Sequence, residues 1–232
     1  MILFDGIDIQ SVANVKIEDI RVSAISYSPL VRDRAAAPGS VFVQNRPVSR
    51  TVSITFAILT MDRNARQAAI MAINAWAKTD KAYKIELEGH PDHYLMAVCT
   101  EKPSPSLRQW WESKLRLVFS CFDNPFWIDK VEKTAQCGTA FRVLGDAAPI
   151  MRIERTLASA ASDQSYSLDG KTMTFSTIPA GDMVIDLEDQ TAVVGTTDIM
   201  QYYTINSRFL VPRTGQQTIT GTGTIKYREL FS

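Results

Sequence analysis

Histidines, adjacent carboxylates, thiols and paired aromatics are the groups in this chain that could do chemistry. There are two histidines, in Gly89-His90-Pro91-Asp92-His93. Histidine is the commonest general base and a frequent metal ligand. Here a proline-containing turn holds both, with no His-Glu-x-x-His pattern and no third ligand nearby, so they read as a solvated turn. Glu188-Asp189 is an acidic pair. Glycoside hydrolysis needs two carboxylates fixed on opposite sides of a bond, whereas neighbouring acids in a polar turn read as solvated. No Gly-x-Ser-x-Gly elbow and no phosphate-cradling glycine loop occurs, and Gly221-Thr222-Gly223 reads as a bulge or turn. Cys99, Cys121 and Cys137 are odd in number and lack Cys-x-x-Cys spacing, which argues against a disulfide framework and a zinc site. Cys121 follows Leu115, Leu117 and Phe119 at period two, as a small core hydrophobe would, and a reducing compartment fits all three thiols. No catalytic residue, metal or cofactor is expected, and the chain does not read as an enzyme.

Trp110, Trp111, Trp127 and the pair Tyr202-Tyr203 could stack on sugar rings. The competing use is core packing or subunit contact, where aromatics bury large area. Trp110 and Trp111 are neighbours at the start of a strand and so point to opposite faces, which leaves at least one exposed or at an interface.

The elements that hold these residues are mostly strands. Val52, Ile54, Phe56 and Ile58 alternate with Thr51, Ser53 and Thr55, the period of a strand with one buried face. Residues 15–23 alternate similarly. Residues 31–50 are basic, rich in small side chains and broken by Pro38-Gly39. They read as a long hairpin or loop projecting from the sheet, either a free surface loop or an arm that touches a neighbouring subunit. Residues 62–78 form the main helix, capped by Asp62 or Thr60, with Ala69, Ile70, Ile73, Trp76 and Ala77 as its apolar stripe. Arg63 and Arg66 oppose the helix dipole near its start, so packing must hold this helix. Tyr83, Ile85 and Leu87, the 89–93 turn and residues 94–100 make a hairpin. A loop over 102–106 and Gln109 to Glu112 lead into a strand ending at Phe122.

After a crossover over 131–145, short strands recur. Asp169-Gly170 between alternating flanks marks a hairpin in 165–176, and Glu188-Asp189-Gln190 turns a second within 182–194. Residues 203–211 and 218–227 complete a set of strands typical of a β-sandwich or jelly roll. The expected fold is therefore mainly β with one main helix. An α+β amino-terminal domain spans 1–130, and a β-sandwich domain spans 131–232.

The chain has 232 residues, 45% of them hydrophobic, enough for one large or two small domains with real cores. Lys plus Arg and Asp plus Glu number 25 each, and a net charge of zero argues against nucleic-acid binding. Near-zero charge also offers little repulsion between copies. No apolar run is long enough for a membrane span. Met1-Ile2-Leu3-Phe4-Asp5-Gly6 lacks a basic start and reads as a first strand, not a signal peptide.

Several runs, taken in order, resemble the distal tail proteins of long-tailed, siphovirus-type bacterial viruses. In the first half they are the Ser/Thr-rich strand at 50–59, the helix carrying Trp76, the hairpin, Trp111, and the corner Asp123-Asn124-Pro125-Phe126-Trp127. In the second half they are Ile178-Pro179-Ala180-Gly181-Asp182, Val184-Ile185-Asp186 and Phe209-Leu210-Val211-Pro212. Family members carry proline–glycine in that last run. Here Arg213 and Thr214 separate Pro212 from Gly215, and Gln217 stands where an asparagine is usual. The resemblance implies a ring-forming first domain, a homohexameric hub around the tail channel and a galectin-like second sandwich. It implies a structural role in the baseplate, joining the tail tube to the tail-tip host-adsorption apparatus. Implied partners are the chain itself, the tail tube protein, the tape-measure protein and the tail-tip protein, with no nucleic acid and no membrane. The virion tail is the implied location, after synthesis in the bacterial host cytoplasm, from an active phage, a prophage or a tail-derived bacteriocin. Interface candidates are Val31, Arg32, Arg34, Pro38, Val41, Phe42 and Trp110. The alternative function is a carbohydrate-binding module that recognises host surface glycans.

Overall fold

The structure is a computed structural model and describes residues 1–33, 40–60, 62–103 and 114–232. The chain divides into two compact units, Met1–Trp127 (joined by Ser232) and Ile128–Phe231.

The first unit runs β1 (Ile2–Phe4), β2 (Ile7–Asp8), α1 (Ile9–Val12), β3 (Val15–Val22), β4 (Ser26–Asp33), β5 (Ser40–Ile58), α2 (Arg63–Trp76), β6 (Tyr83–Leu87), β7 (His93–Glu101) and β8 (Lys114–Cys121). These strands form an antiparallel sheet in the order β2-β1-β6-β7-β8-β5-β3. The alternation at 52–58 has the expected consequence: Val52, Ile54, Phe56 and Ile58 are all buried. The helix starts as its sequence requires. Asp62 Oδ2 accepts a bond from Ala65 N at 2.7 Å, which satisfies one of the amides that a helix start leaves open. Ile70, Ile73, Trp76 and Ala77 are its buried face, while Ala69 is only half-buried. Trp76 meets Phe4 edge-on at 5.5 Å and Phe119 at 6.1 Å, and its ring N–H donates to Ile7 O at 2.9 Å. One tryptophan therefore ties helix, first strand and sheet into one core, and its polar atom is satisfied as a buried indole requires. This packing holds a helix whose first turn carries two arginines and no acid.

β9 (Trp127–Asp129) lies at the division between the units. The second unit continues with β10 (Lys133–Gln136), β11 (Phe141–Val143), β12 (Ala147–Leu157), β13 (Ala161–Leu168), β14 (Lys171–Ile178), β15 (Gly181–Asp186), β16 (Thr191–Val194), β17 (Thr197–Asp198), a 3-10 turn (Met200–Tyr202), β18 (Gly215–Gln217) and β19 (Thr224–Phe231). One antiparallel layer has the order β10-β19-β12-β15-β16-β17. The β13–β14 hairpin and the β11–β18 pair make up the rest, with bridges at Ser167–Thr220 and Phe175–Tyr203. Met151, Ile153, Ile185 and Ile225 share one core with Tyr166, Leu168, Met173 and Phe175, so two layers enclose a common interior. The β13–β14 hairpin has the two-residue turn its sequence demands: Leu168 pairs with Lys171, and Asp169 and Gly170 have φ of 50° and 74°.

Three expectations are corrected. Residues 131–145 are not a plain crossover, because β10 and β11 lie within them. Residues 203–211 are not a strand. A turn from Thr204 to Ser207 interrupts them, and the Ser207 hydroxyl takes both the amide and the carbonyl of Thr174. Of the expected strand over 218–227 only residues 224–227 are strand, as the start of β19, while β18 ends before it at Gln217. Gly221 adopts φ of 129° between β18 and β19, and a Cβ there would lie 2.5 Å from the ring of the buried Tyr166. No helix among the described residues is long and apolar enough to cross a membrane.

Candidate functional site

The candidate chemical groups are taken up by local structure. Asp186 Oδ1 accepts bonds from the backbone amides of Glu188 and Asp189, at 2.9 and 3.1 Å, so the acidic pair sits in a turn that its neighbour caps. His90 lies flat on Trp127, with ring centres 4.0 Å apart and planes at 28°. Burial lowers the pKa of His90, and nearby His93 and Arg50 lower it further. Among the described residues no three His, Cys, Asp or Glu side chains are placed to share a metal. Burial pushes the Cys121 thiol up to about 12 and raises Cys99 and Cys137 as well, so none is an activated nucleophile.

The described aromatics offered for sugar stacking are engaged within the chain. Trp127 is buried, and Tyr203 stacks on Phe209 at 5.2 Å while meeting Phe175 edge-on. Trp110 and Trp111 lie outside the described residues. Nor is there room for a substrate in the depression lined by Glu132, Ile150, Met151, Arg152, Asp186, Lys226 and Arg228. Its volume is about 40 Å³, against roughly 300 Å³ or more for a ligand pocket. Ion pairs occupy its walls: Arg152 to Glu132 at 2.9 Å, Arg152 to Glu154 at 2.6 Å and Lys226 to Glu154 at 2.7 Å.

What the first unit does present is an arm. β5 is 19 residues long, and its second half, from Arg50, is held between β3 and β8. Its first half pairs, among the described residues, only with β4. At about 3.3 Å per residue that half extends about 33 Å. Every described side chain from Ser26 to Val48 is exposed except the half-buried Leu30.

Register sorts the arm into two unlike faces. Tyr27 stands opposite Pro47, Pro29 opposite Asn45 and Val31 opposite Phe42. Strand period puts all six on one face. Ser28 with Arg46, Leu30 with Gln44, and Arg32 take the other face. The first face is apolar yet uncovered: Tyr27, Val31 and Phe42 are 50%, 51% and 58% exposed. Two bulges add Val43 and Val48 on β5, and both are exposed. Pro29 and Pro47 have no amide to give, and a proline in a paired strand sits where that amide would point outward. Each edge of the arm therefore carries a break against strand addition.

Of the residues expected at an interface, Val31, Arg32 and Phe42 lie exposed on this arm. Arg34, Pro38 and Trp110 fall outside the described residues, as does the side chain of Val41. Sequence reasoning passed over Arg50 at the root of the arm. It is 5% exposed, faces Trp127 at 5.8 Å, and has no hydrogen-bond partner at Nε or Nη1. The signal was available: residue 50 has the same parity as Val52, Ile54 and Phe56, and so points inward. The altered loop after Phe209 also closes without the usual glycine spacing. Gln217 is buried, and its amide both accepts from Arg213 N at 3.3 Å and donates to Arg213 O at 3.0 Å.

The sequence matches no protein-family profile and no curated protein sequence. Solved structures do match the fold. The crystal structure of SPP1 Dit (gp 19.1), described as a paradigm of hub adsorption apparatus in Gram-positive-infecting phages, aligns with TM-score 0.77 and 19% identity. The alignment covers 100% of this chain and 98% of that one. A chain of the phage P2 baseplate, in its activated conformation with Ca, aligns with TM-score 0.51 and 7% identity over 94% of this chain and 91% of that one. The same baseplate with Sr gives TM-score 0.50. The resemblance to phage distal tail proteins read from the sequence is thus borne out as a shared fold, mainly β with one main helix, and this chain has the fold of the SPP1 Dit hub protein from end to end.

Proposed function

We propose that this chain is a structural component of a phage tail, a hub that links the tail tube to the tail-tip host-adsorption apparatus. The observation that carries this reading is the arm. A two-stranded ribbon is marginal in water by itself, and one with an uncovered apolar face is best explained by a surface that closes over it. In a head-to-tail assembly each copy offers its arm to the next, and a rotation that closes makes a ring. The fold shared with a hub protein over the full length supports the same reading. Six copies make the ring, through residues 1–130, with Val31, Arg32, Arg34, Pro38, Val41, Phe42 and Trp110 at its contacts. The tail tube, tape-measure and tail-tip proteins are its further partners in the virion tail. The role is mechanical and needs no catalysis.

Light scattering after size-exclusion chromatography tests this. Six chains of 25.9 kDa give a species of about 155 kDa. The double variant Val31→Ser, Phe42→Ser is expected to elute as a monomer with an unchanged melting temperature, since both side chains are already solvated in the single chain. A wild type that stays monomeric at every concentration, alone and with the tail tube protein, would sink the proposal.

A further inference from the structure

We propose that Arg50 is an oxyanion-binding residue whose ligand is a carboxylate of a second copy of this chain. The inference rests on the hub reading for the identity of the ligand, and on the following geometry for its chemistry. Arg50 lies where the arm joins the sheet, paired across the ladder with Cys121. Its side chain is 5% exposed, yet Nε and Nη1 meet no acceptor. Burial lowers its pKa, and among the described residues the ionisable groups that interact with it are the Cys121 thiol, the Tyr27 phenol and the His90 imidazole, none of them a carboxylate. The guanidinium carbon lies 5.8 Å from the centre of the Trp127 ring, which is itself stacked on by His90. Contact with an aromatic face gives these two nitrogens no acceptor, so Nε and Nη1 are left without a hydrogen-bond partner.

Buried polar groups are ordinarily paired, and an unpaired charged one is costly. A chain selected for stability alone has a simple remedy in methionine, which packs on an indole without orphaned donors. Retaining arginine is explained by a partner that arrives later. A planar fork of N–H donors selects a carboxylate geometrically. Tyr27, beside Arg50, begins the uncovered apolar face of the arm, so the site is continuous with the surface proposed to meet a neighbour.

Wild type, Arg50→Met and Arg50→Lys are compared as full chains by light-scattering mass and by thermal unfolding. Arg50→Met is expected to melt at or above the wild-type temperature as a monomer, while its ring association weakens roughly tenfold or more. Arg50→Lys, which keeps the charge, is expected to recover part of the association. A lower melting temperature for the Arg50→Met monomer would show a guanidinium satisfied within the chain and overturn the proposal. An undiminished ring would overturn it equally. If the wild type never assembles, the hub reading fails separately, and sodium acetate decides the site. A saturable change in tryptophan emission, lost in Arg50→Met, upholds an oxyanion site without the neighbour, and no change refutes it.

Discussion

Single residues in this protein show their chemistry as structural support. Glu154 is an example. Its carboxylate is held below the ordinary value of 4.5, first by the hydrogen bond from Arg152 and then by that from Lys226. A carboxyl whose folded pKa is depressed contributes stability that is complete above its unfolded value, and that contribution fades as pH falls through the folded one. Between about pH 6 and about pH 3, Glu154→Gln should therefore lose less stability than the wild type. Urea midpoints across that range measure it, and equal losses would mean the network contributes nothing. Glu229 is the buried counterpart: it is 1% exposed, accepts from Leu144 N at 2.8 Å and pairs with Lys133 at 2.6 Å. In the sequence these acids look no different from the solvated Glu188. Only their partners, up to 96 positions away, separate them.

At the scale of elements, local rules decide the outcome where a few neighbouring residues are enough. Asp62→Ala removes the acceptor for Ala65 N and should cost about 1 kcal/mol, read from denaturant unfolding. A negligible change would assign the helix start to packing by Trp76 and Ile73 alone. The arm obeys a different rule. Pro29 and Pro47 are expected to guard its edges, so Pro29→Val with Pro47→Val should expose two runs of free amides to strand addition. Light scattering should then show large, time-dependent aggregates. A double variant as monodisperse as the wild type would show that the edges need no guard. The sequence made the hairpin legible through Pro38-Gly39, but not its two faces, because the bulges at Val43 and Val48 shift which residues stand opposite.

For the whole molecule, the prediction concerns what holds copies together. In the proposed ring the contact face is Tyr27, Pro29, Val31, Phe42 and Pro47, and the formal net charge is zero. Apolar contact is insensitive to screening, so the proposed 155 kDa species should survive about 0.5 M salt. Dissociation under those conditions would transfer the interface to the basic face with Arg32 and Arg46. The sequence by itself determined which apolar residues of its regular elements are interior. Period-two runs such as 52–58, the helical stripe of Ile70, Ile73 and Trp76, and the Asp169-Gly170 turn are each set by backbone geometry and side-chain polarity within a few residues. Tertiary structure alone decided the rest. The segment over 203–211 lost its strand because Thr174, on another strand, binds the Ser207 hydroxyl. Trp127 was covered by His90, and Nε and Nη1 of Arg50 were left without a hydrogen-bond partner, with no carboxylate among the described residues acting on that guanidinium. These outcomes depend on which distant residues meet, and a local pattern carries no information about that.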